Sequence, residues 1–234
     1  MLNFIDISSH QADLNMVAVS NSIQGVIVKA TEGTSYVNPY CDRHCRQAKN
    51  ADLLRGFYHF AGSNDPLAEA AFFYRNVPGY LHDGIPVLDW EGKQSVDWVN
   101  RFVRQFHNLT GIWCWIYANP WRFNQGGVES NCARWVASYP EVTHPTFAQA
   151  ASWKCPDADG NVVAWQFCSD GRVPGYGYDL DCSVYYGDRE SWLRYADSNS
   201  FGGGIAGGDD GNGGAVASTE TLENENYKIT IERK

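Results

Sequence analysis

The feature that most constrains this chain is a series of five short, nearly continuous apolar runs separated by helical patterns. The runs are Leu2–Ile7, Gly25–Ala30, Gly56–Phe60, Ile85–Trp90 and Gly111–Tyr117. A strand buried on both faces reads as a continuous apolar run, and such strands alternating with helices form parallel sheets. The helical segments carry end signals. Asn38-Pro39 and Asp65-Pro66 each place a cap residue before proline at the first helical position, and Gly56 closes the first stretch. Ser95 caps a stretch in which Val99, Phe102, Val103 and Phe106 fall at i, i+3, i+4 and i+7, and Gly111 stops it. That stripe is core.

After residue 118 helical periodicity fades. Arg134–Tyr139, Val162–Phe167 and Tyr178–Cys182 read as strands joined by Pro-, Gly- and Asp-rich segments, and Ser191–Ala196 reads as a closing helix. Eight strands, with helices only between the first five, predict an α/β barrel related to the (β/α)₈ type with an irregular second half. This barrel is expected to occupy residues 1–198. Residues 199–214 form a flexible linker, since 8 of the 14 residues from Phe201 to Gly214 are glycine. In the tail, residues 215–234, Tyr227, Ile229 and Ile231 alternate with Lys228, Thr230 and Glu232. The tail is read as disordered, with a short strand added to a sheet edge or partner as the alternative.

Composition removes several classes of function. A net charge of -9 leaves no basic footprint to neutralise phosphates, so no nucleic-acid partner is expected. No run approaches the ~18 apolar residues of a membrane span. Met1 leads at once into the first strand with no basic segment before it, so no signal peptide is predicted and synthesis and storage in a cytoplasm are. Seven cysteines, an odd number, fit reduced thiols. Cys41, His44 and Cys45 fall on one helix without a second ligand pair at zinc spacing, so no metal site is expected. The 9 Trp and 13 Tyr exceed what a core requires, and they either pack or line a cleft on which sugar faces stack.

In a parallel barrel the active site lies at the C-terminal strand ends. Asp6 falls at the end of the first strand and Asp89 and Glu91 at the end of the fourth. Asp179 and Asp181 lie on the last strand, which neighbours the first on closure. Strand residues two apart face the same way, about 6–7 Å apart along the chain. Carboxylates so crowded do not all ionise cheaply, and one is expected to hold a proton near neutral pH. Glycoside hydrolysis needs that division: one acid for the leaving oxygen, one anion facing the developing cation. Asp-x-Glu is common on solvated surfaces, but charge ending an apolar strand is costly unless it is used.

These residues also carry a resemblance. Met1–Ala196 resembles glycoside hydrolase family 25, the muramidases also called Chalaropsis-type lysozymes. The matching motifs, in order, are Ile5-Asp6-Ile7-Ser8-Ser9-His10-Gln11, Val28-Lys29-Ala30-Thr31-Glu32-Gly33, Gly56-Phe57-Tyr58-His59-Phe60, Val87-Leu88-Asp89-Trp90-Glu91, Trp165-Gln166 and Asp179-Leu180-Asp181. The resemblance implies a flattened, TIM-like (β/α)₅β₃ barrel. It implies retaining cleavage of the β-1,4 bond between N-acetylmuramic acid and N-acetylglucosamine of bacterial peptidoglycan, without a cofactor. It assigns Glu91 as general acid/base, Asp89 as its partner carboxylate, and Asp6 and Asp179 as the other two pocket acids. Asp181 stands where the family pattern has asparagine.

Further substrate contacts are expected from Gln166 and Asp181; Tyr58 contacts sugar or hydrogen-bonds a carboxylate, Lys29 pairs with a pocket acid or forms a salt bridge at its strand end, and Tyr117, Trp135 and Trp165 either stack on the glycan or pack in the core. His59 is either such a contact or a satisfied core histidine. The missing leader suggests a bacteriophage lysis enzyme acting on the wall after release, as a monomer. Two other readings compete. A chitinase-type glycosidase also ends a barrel strand in Asp-x-Glu, but Val87 stands where its longer motif requires another aspartate. A non-catalytic glycan-binding module would have no need of all four acids.

Overall fold

The computed structural model describes residues 1–197, 219–224 and 227–232. Two compact units are present, Met1–Gly202 and Gly203–Lys234. The first is built on nine strands: β1 (Leu2–Ile7), β2 (Gly25–Glu32), β3 (Tyr36–Val37), β4 (Leu54–Phe60), β5 (Gly84–Asp89), β6 (Trp115–Ala118), β7 (Arg134–Ala137), β8 (Val162–Gly171) and β9 (Leu180–Tyr185). Their order is β1-β9-β8-β7-β6-β5-β4-β2-β3, and an additional β1–β2 pairing closes eight of them into a barrel. The two-residue β3 hangs antiparallel on β2.

This closed eight-stranded barrel surrounded by helices corrects the expected (β/α)₅β₃ barrel of TIM-like type. Seven barrel strands run parallel, but β9 runs antiparallel to both of its neighbours, β8 and β1. Strand direction leaves no mark on an apolar run, so the reversal could not be read from the sequence. Helices do not stop after the fifth barrel strand either. Alongside α1 (Met16–Val19), α2 (Cys41–Asn50), α3 (Pro66–Asn76) and α4 (Val96–Thr110), the short α5 (Pro120–Phe123) and α6 (Phe147–Ala150) follow β6 and β7. A four-residue helix has too few turns to show a periodic stripe.

The long helices begin and end mostly where the sequence placed them. Asp65 accepts hydrogen bonds from the Leu67 and Ala68 N–H groups with Pro66 in the first turn. Ser95 caps α4, and Gly111 ends it at φ +74°, a left-handed conformation that glycine adopts without strain. Asn38 does not cap α2. That helix starts at Cys41, and the Asn38 side chain instead ties β2 to the helix approach, donating to Lys29 O at 2.7 Å. Cys41, His44 and Cys45 lie on the buried face of α2 as core.

Side chains alternate across each strand. The outward set packs under the helices, where Val26, Phe57, Phe73, Phe102 and Phe106 share one cluster. The inward set fills the barrel with Phe4, Ile27, Val87, Trp115, Trp135 and Tyr185. The closing helix α7 (Arg189–Ala196) seals one end. Its Trp192 ring sits 5.3 Å from Phe4, 5.4 Å from Trp115 and 5.3 Å from Tyr185, and its indole N–H donates to Arg55 O at 2.9 Å.

The expected linker, residues 199–214, lies outside the described residues. The second unit, taken by itself, holds an antiparallel pair, β10 (Thr219–Asn224) and β11 (Tyr227–Glu232), with Leu222 opposite Ile229. No helix among the described residues is long and apolar enough to cross a membrane.

Candidate active site

One step beyond the aromatic floor, the same inward alternation places polar residues. Asp6 follows Phe4 by two, Lys29 follows Ile27, Asp89 follows Val87, Tyr117 follows Trp115 and Gln166 follows Ala164. All lie toward the C-terminal ends of parallel strands. Because β9 runs the other way, its first inward residue, Asp181, reaches the same mouth, directly opposite Asp6. With Glu91, Tyr58 and Trp135 these residues line a cleft of about 360 Å³.

Four carboxyl groups thus converge: Asp6, Asp89, Glu91 and Asp181. Burial pushes Asp89 well above the usual carboxylate range, and the charges of Glu91 and Asp6 add to the push. Asp6 is raised likewise, by burial and then by Asp181, while a hydrogen bond from Gln166 works against the shift. Asp181 is pushed up to about 6 by burial and by Glu91. The Tyr58 phenol is raised too, by burial and then by Asp89, and stays protonated. The shared cause is physical: acids placed close together in a partly dry cleft disfavour one another's charge. Asp89 Oδ1 is fully buried and has no hydrogen-bond partner within the protein.

Glu91 projects from a fixed backbone. The buried Trp90 indole donates to Gln94 O at 2.9 Å. Arg122 lies 5.0 Å over the Trp90 ring and donates to Glu91 O at 2.6 Å and Gly92 O at 2.5 Å. The Glu91 side chain itself is exposed at the mouth. Glu91 and Asp89 thus have unlike surroundings, one exposed and one buried.

The expected site residues divide. Asp6, Lys29, Tyr58, Asp89, Glu91, Tyr117, Trp135, Gln166 and Asp181 meet in the cleft. Lys29 pairs with Glu32 at 2.6 Å and lies 4.7 Å over the Phe60 ring. Trp135 forms part of the floor, its indole donating to Ser183 Oγ at 3.1 Å. Asp179 does not line the cleft. It precedes β9 and sits at the surface, held by Arg172 at 2.8 Å. The acid that β9 delivers is Asp181, because the inward positions of that strand are Asp181, Ser183 and Tyr185.

His59 also lies outside the cleft. It faces outward from β4, fully buried, with Nδ1 2.8 Å from Thr31 Oγ1 and Nε2 3.0 Å from the Glu69 carboxylate. Burial lowers its pKa, so it is neutral: Nε2–H donates to Glu69 and Nδ1 accepts from Thr31. It is a satisfied core histidine. Trp165 is buried as well, its indole donating to Ser138 O at 2.7 Å, and it walls an adjoining groove with Trp153 and Tyr139.

Several contributors went unread in the sequence, among them Ser8, Ser9, His10 and Phe60 at the cleft wall, Tyr139 and Arg122. Tyr139 reaches the cleft and donates to Gln166 Oε1 at 2.5 Å. It stands two residues past Ala137 and four past Trp135, so period-two counting along Arg134–Tyr139 would have found it. Arg122 lies on the single-turn α5, where no local pattern announces it. Among the described residues no group of three or more His, Cys, Asp or Glu is arranged to hold a metal ion.

Comparison with known proteins places the chain in a family. The model of glycosyl hydrolases family 25 matches residues 5–176. The chain is 29% identical over 189 residues to the autolytic lysozyme of Clostridium acetobutylicum, an overlap covering 77% of this chain and 55% of that protein. It is 36% identical over 136 residues to the N,O-diacetylmuramidase of Chalaropsis sp, covering 49% and 64%. The matches thus span 55% and 64% of these two curated relatives. Among solved structures, the bacterial lysozyme from Streptomyces coelicolor superposes with a TM-score of 0.70 at 26% identity, covering 85% of this chain and 98% of that one.

Proposed function

The chain belongs to glycosyl hydrolases family 25, and from that premise we propose that it is a muramidase. Its substrate is the glycan strand of bacterial peptidoglycan, and the bond cleaved is the β-1,4 link between N-acetylmuramic acid and N-acetylglucosamine, with net retention. The observation that carries this reading is the pairing of Glu91, exposed on a clamped backbone, with Asp89, buried beside it, at a mouth that also holds Asp6 and Asp181.

Glu91 is the general acid/base. At the open end of the cleft it reaches the glycosidic oxygen, gives it a proton as the bond breaks, and then takes a proton from the incoming water. The Asp89 carboxyl, at the cleft wall, receives an N–H from the substrate's acetamido group and fixes the sugar against the reacting carbon. Asp6 and Asp181 keep the cleft acidic and favour the positive charge that develops on the sugar ring.

The test is digestion of purified peptidoglycan, reduction of the fragments with borohydride, and mass analysis. New reducing ends on N-acetylmuramic acid are expected. Reducing ends on N-acetylglucosamine, or no fragments at all, would overturn the proposal.

A further inference from the structure

Gln166 was expected to contact substrate, yet its carbonyl oxygen and an amide N–H are already engaged by the protein. The carbonyl Oε1 accepts from two phenols, Tyr117 at 2.6 Å and Tyr139 at 2.5 Å. The amide nitrogen donates to Asp6 Oδ1 at 2.8 Å. Gln166 is only 2% exposed, so its orientation is set by these partners and not by solvent. With both phenols donating, the carbonyl lone pairs are saturated and the NH₂ group has one way to face. The reverse orientation would aim a carbonyl oxygen at a carboxylate oxygen.

We propose that Gln166 is a positioning residue for Asp6: locked by Tyr117 and Tyr139, its amide keeps Asp6 Oδ1 an acceptor, so that the carboxyl gains or loses its proton only at its other oxygen. This rests on the reading of the cleft as the hydrolytic site, but the geometry concerns the protein alone. Asp6 faces acids from several elements: Asp181 on β9, Asp89 on β5 and Glu91 just beyond it. The phenols of Tyr58, Tyr117 and Tyr139 and the Cys182 thiol are also within its electrostatic reach, and Lys29 and His10 are the basic groups lining the cleft. Against that crowd the Gln166 N–H favours the charged form of Asp6. A two-tyrosine clamp on one amide therefore sets the ionisation of one acid without touching substrate.

Gln166→Glu keeps the shape and the acceptor for both phenols, and replaces the N–H donor with oxygen. Titration of the Asp6 carboxyl carbon, followed by NMR in isotopically labelled protein, is expected to move upward by about one pH unit or more. The acid limb of the pH profile of kcat/KM is expected to move the same way, with KM near the parent value. Tyr139→Phe removes one phenol of the clamp and leaves the amide freer; a smaller shift of the same sign is expected. Tyr139 is half exposed, so this variant provides the test if Gln166→Glu fails to fold.

An unmoved Asp6 titration in folded Gln166→Glu, or in Tyr139→Phe if that is the folded variant, would overturn the proposal. So would a rise in KM with an unmoved pH profile, which would mean that Gln166 holds substrate. Because the titration needs no substrate, a shifted Asp6 in a protein that cleaves no peptidoglycan would sink the muramidase reading and leave this one standing.

Discussion

Each acid in the cleft is distinguished by what surrounds it. Glu91 stands in solvent, Asp89 is buried with one oxygen unpartnered within the protein, Asp6 is held by an amide, and Asp181 faces Asp6 across a strand pair. Asp181 carries a consequence for stability. Its folded pKa of about 6 lies above the ordinary value of 3.8. Between those values the folded chain binds the proton that the unfolded chain releases, so stability from this group is complete below about pH 4 and is lost as pH rises to about 6. Asp181→Asn is expected to remove that slope and to raise the melting temperature at pH 7 relative to the parent; an unchanged or steeper decline between pH 4 and 6 would contradict this. Much of the site was legible at the same scale. Period-two alternation from Val87 put Asp89 and Glu91 on one side, and the end of β1 gave Asp6. The choice between Asp179 and Asp181 was not legible. It depends on where β9 begins, and strand boundaries are decided by pairing partners that a single segment does not contain. Nor could the Asn38-Pro39 signal foresee that Asn38 would be drawn away to the β2 backbone.

At the level of elements, α7 does more than close the chain. Its Trp192 fills the sealed end of the barrel, between Phe4, Trp115 and Tyr185, and so supports the floor on which the acids stand. Truncating such a buried aromatic leaves a cavity that the stiff strands around it do not collapse to fill. Trp192→Ala is expected to cost about 3–5 kcal/mol by chemical denaturation; a loss below about 1 kcal/mol would show that the end of the barrel repacks. The long helices were legible because Asp65, Ser95 and Gly111 are end signals acting through nearby backbone groups. The short α5 and α6 and the reversed β9 were not. Single-turn helices have no period, and direction is a property of the closed sheet.

On the scale of the whole molecule, the acid-lined cleft is contained in the unit Met1–Gly202, and the β10–β11 pair belongs to the other unit. Every cleft-lining side chain comes from the first. A chain of residues 1–202 is therefore expected to keep its melting temperature within about 2 °C and to release glycan fragments at an undiminished rate; loss of either would tie the second unit to the barrel.

The most direct measurement compares the parent, Glu91→Gln and Asp179→Asn in one assay, counting new N-acetylmuramic acid reducing ends released from purified peptidoglycan. With Glu91 as the acid and Asp179 a surface partner of Arg172, Glu91→Gln is expected to fall by at least about a hundredfold while Asp179→Asn stays within a few-fold of the parent. Undiminished cleavage by folded Glu91→Gln, or loss of cleavage in Asp179→Asn alone, would contradict the assignment of the site.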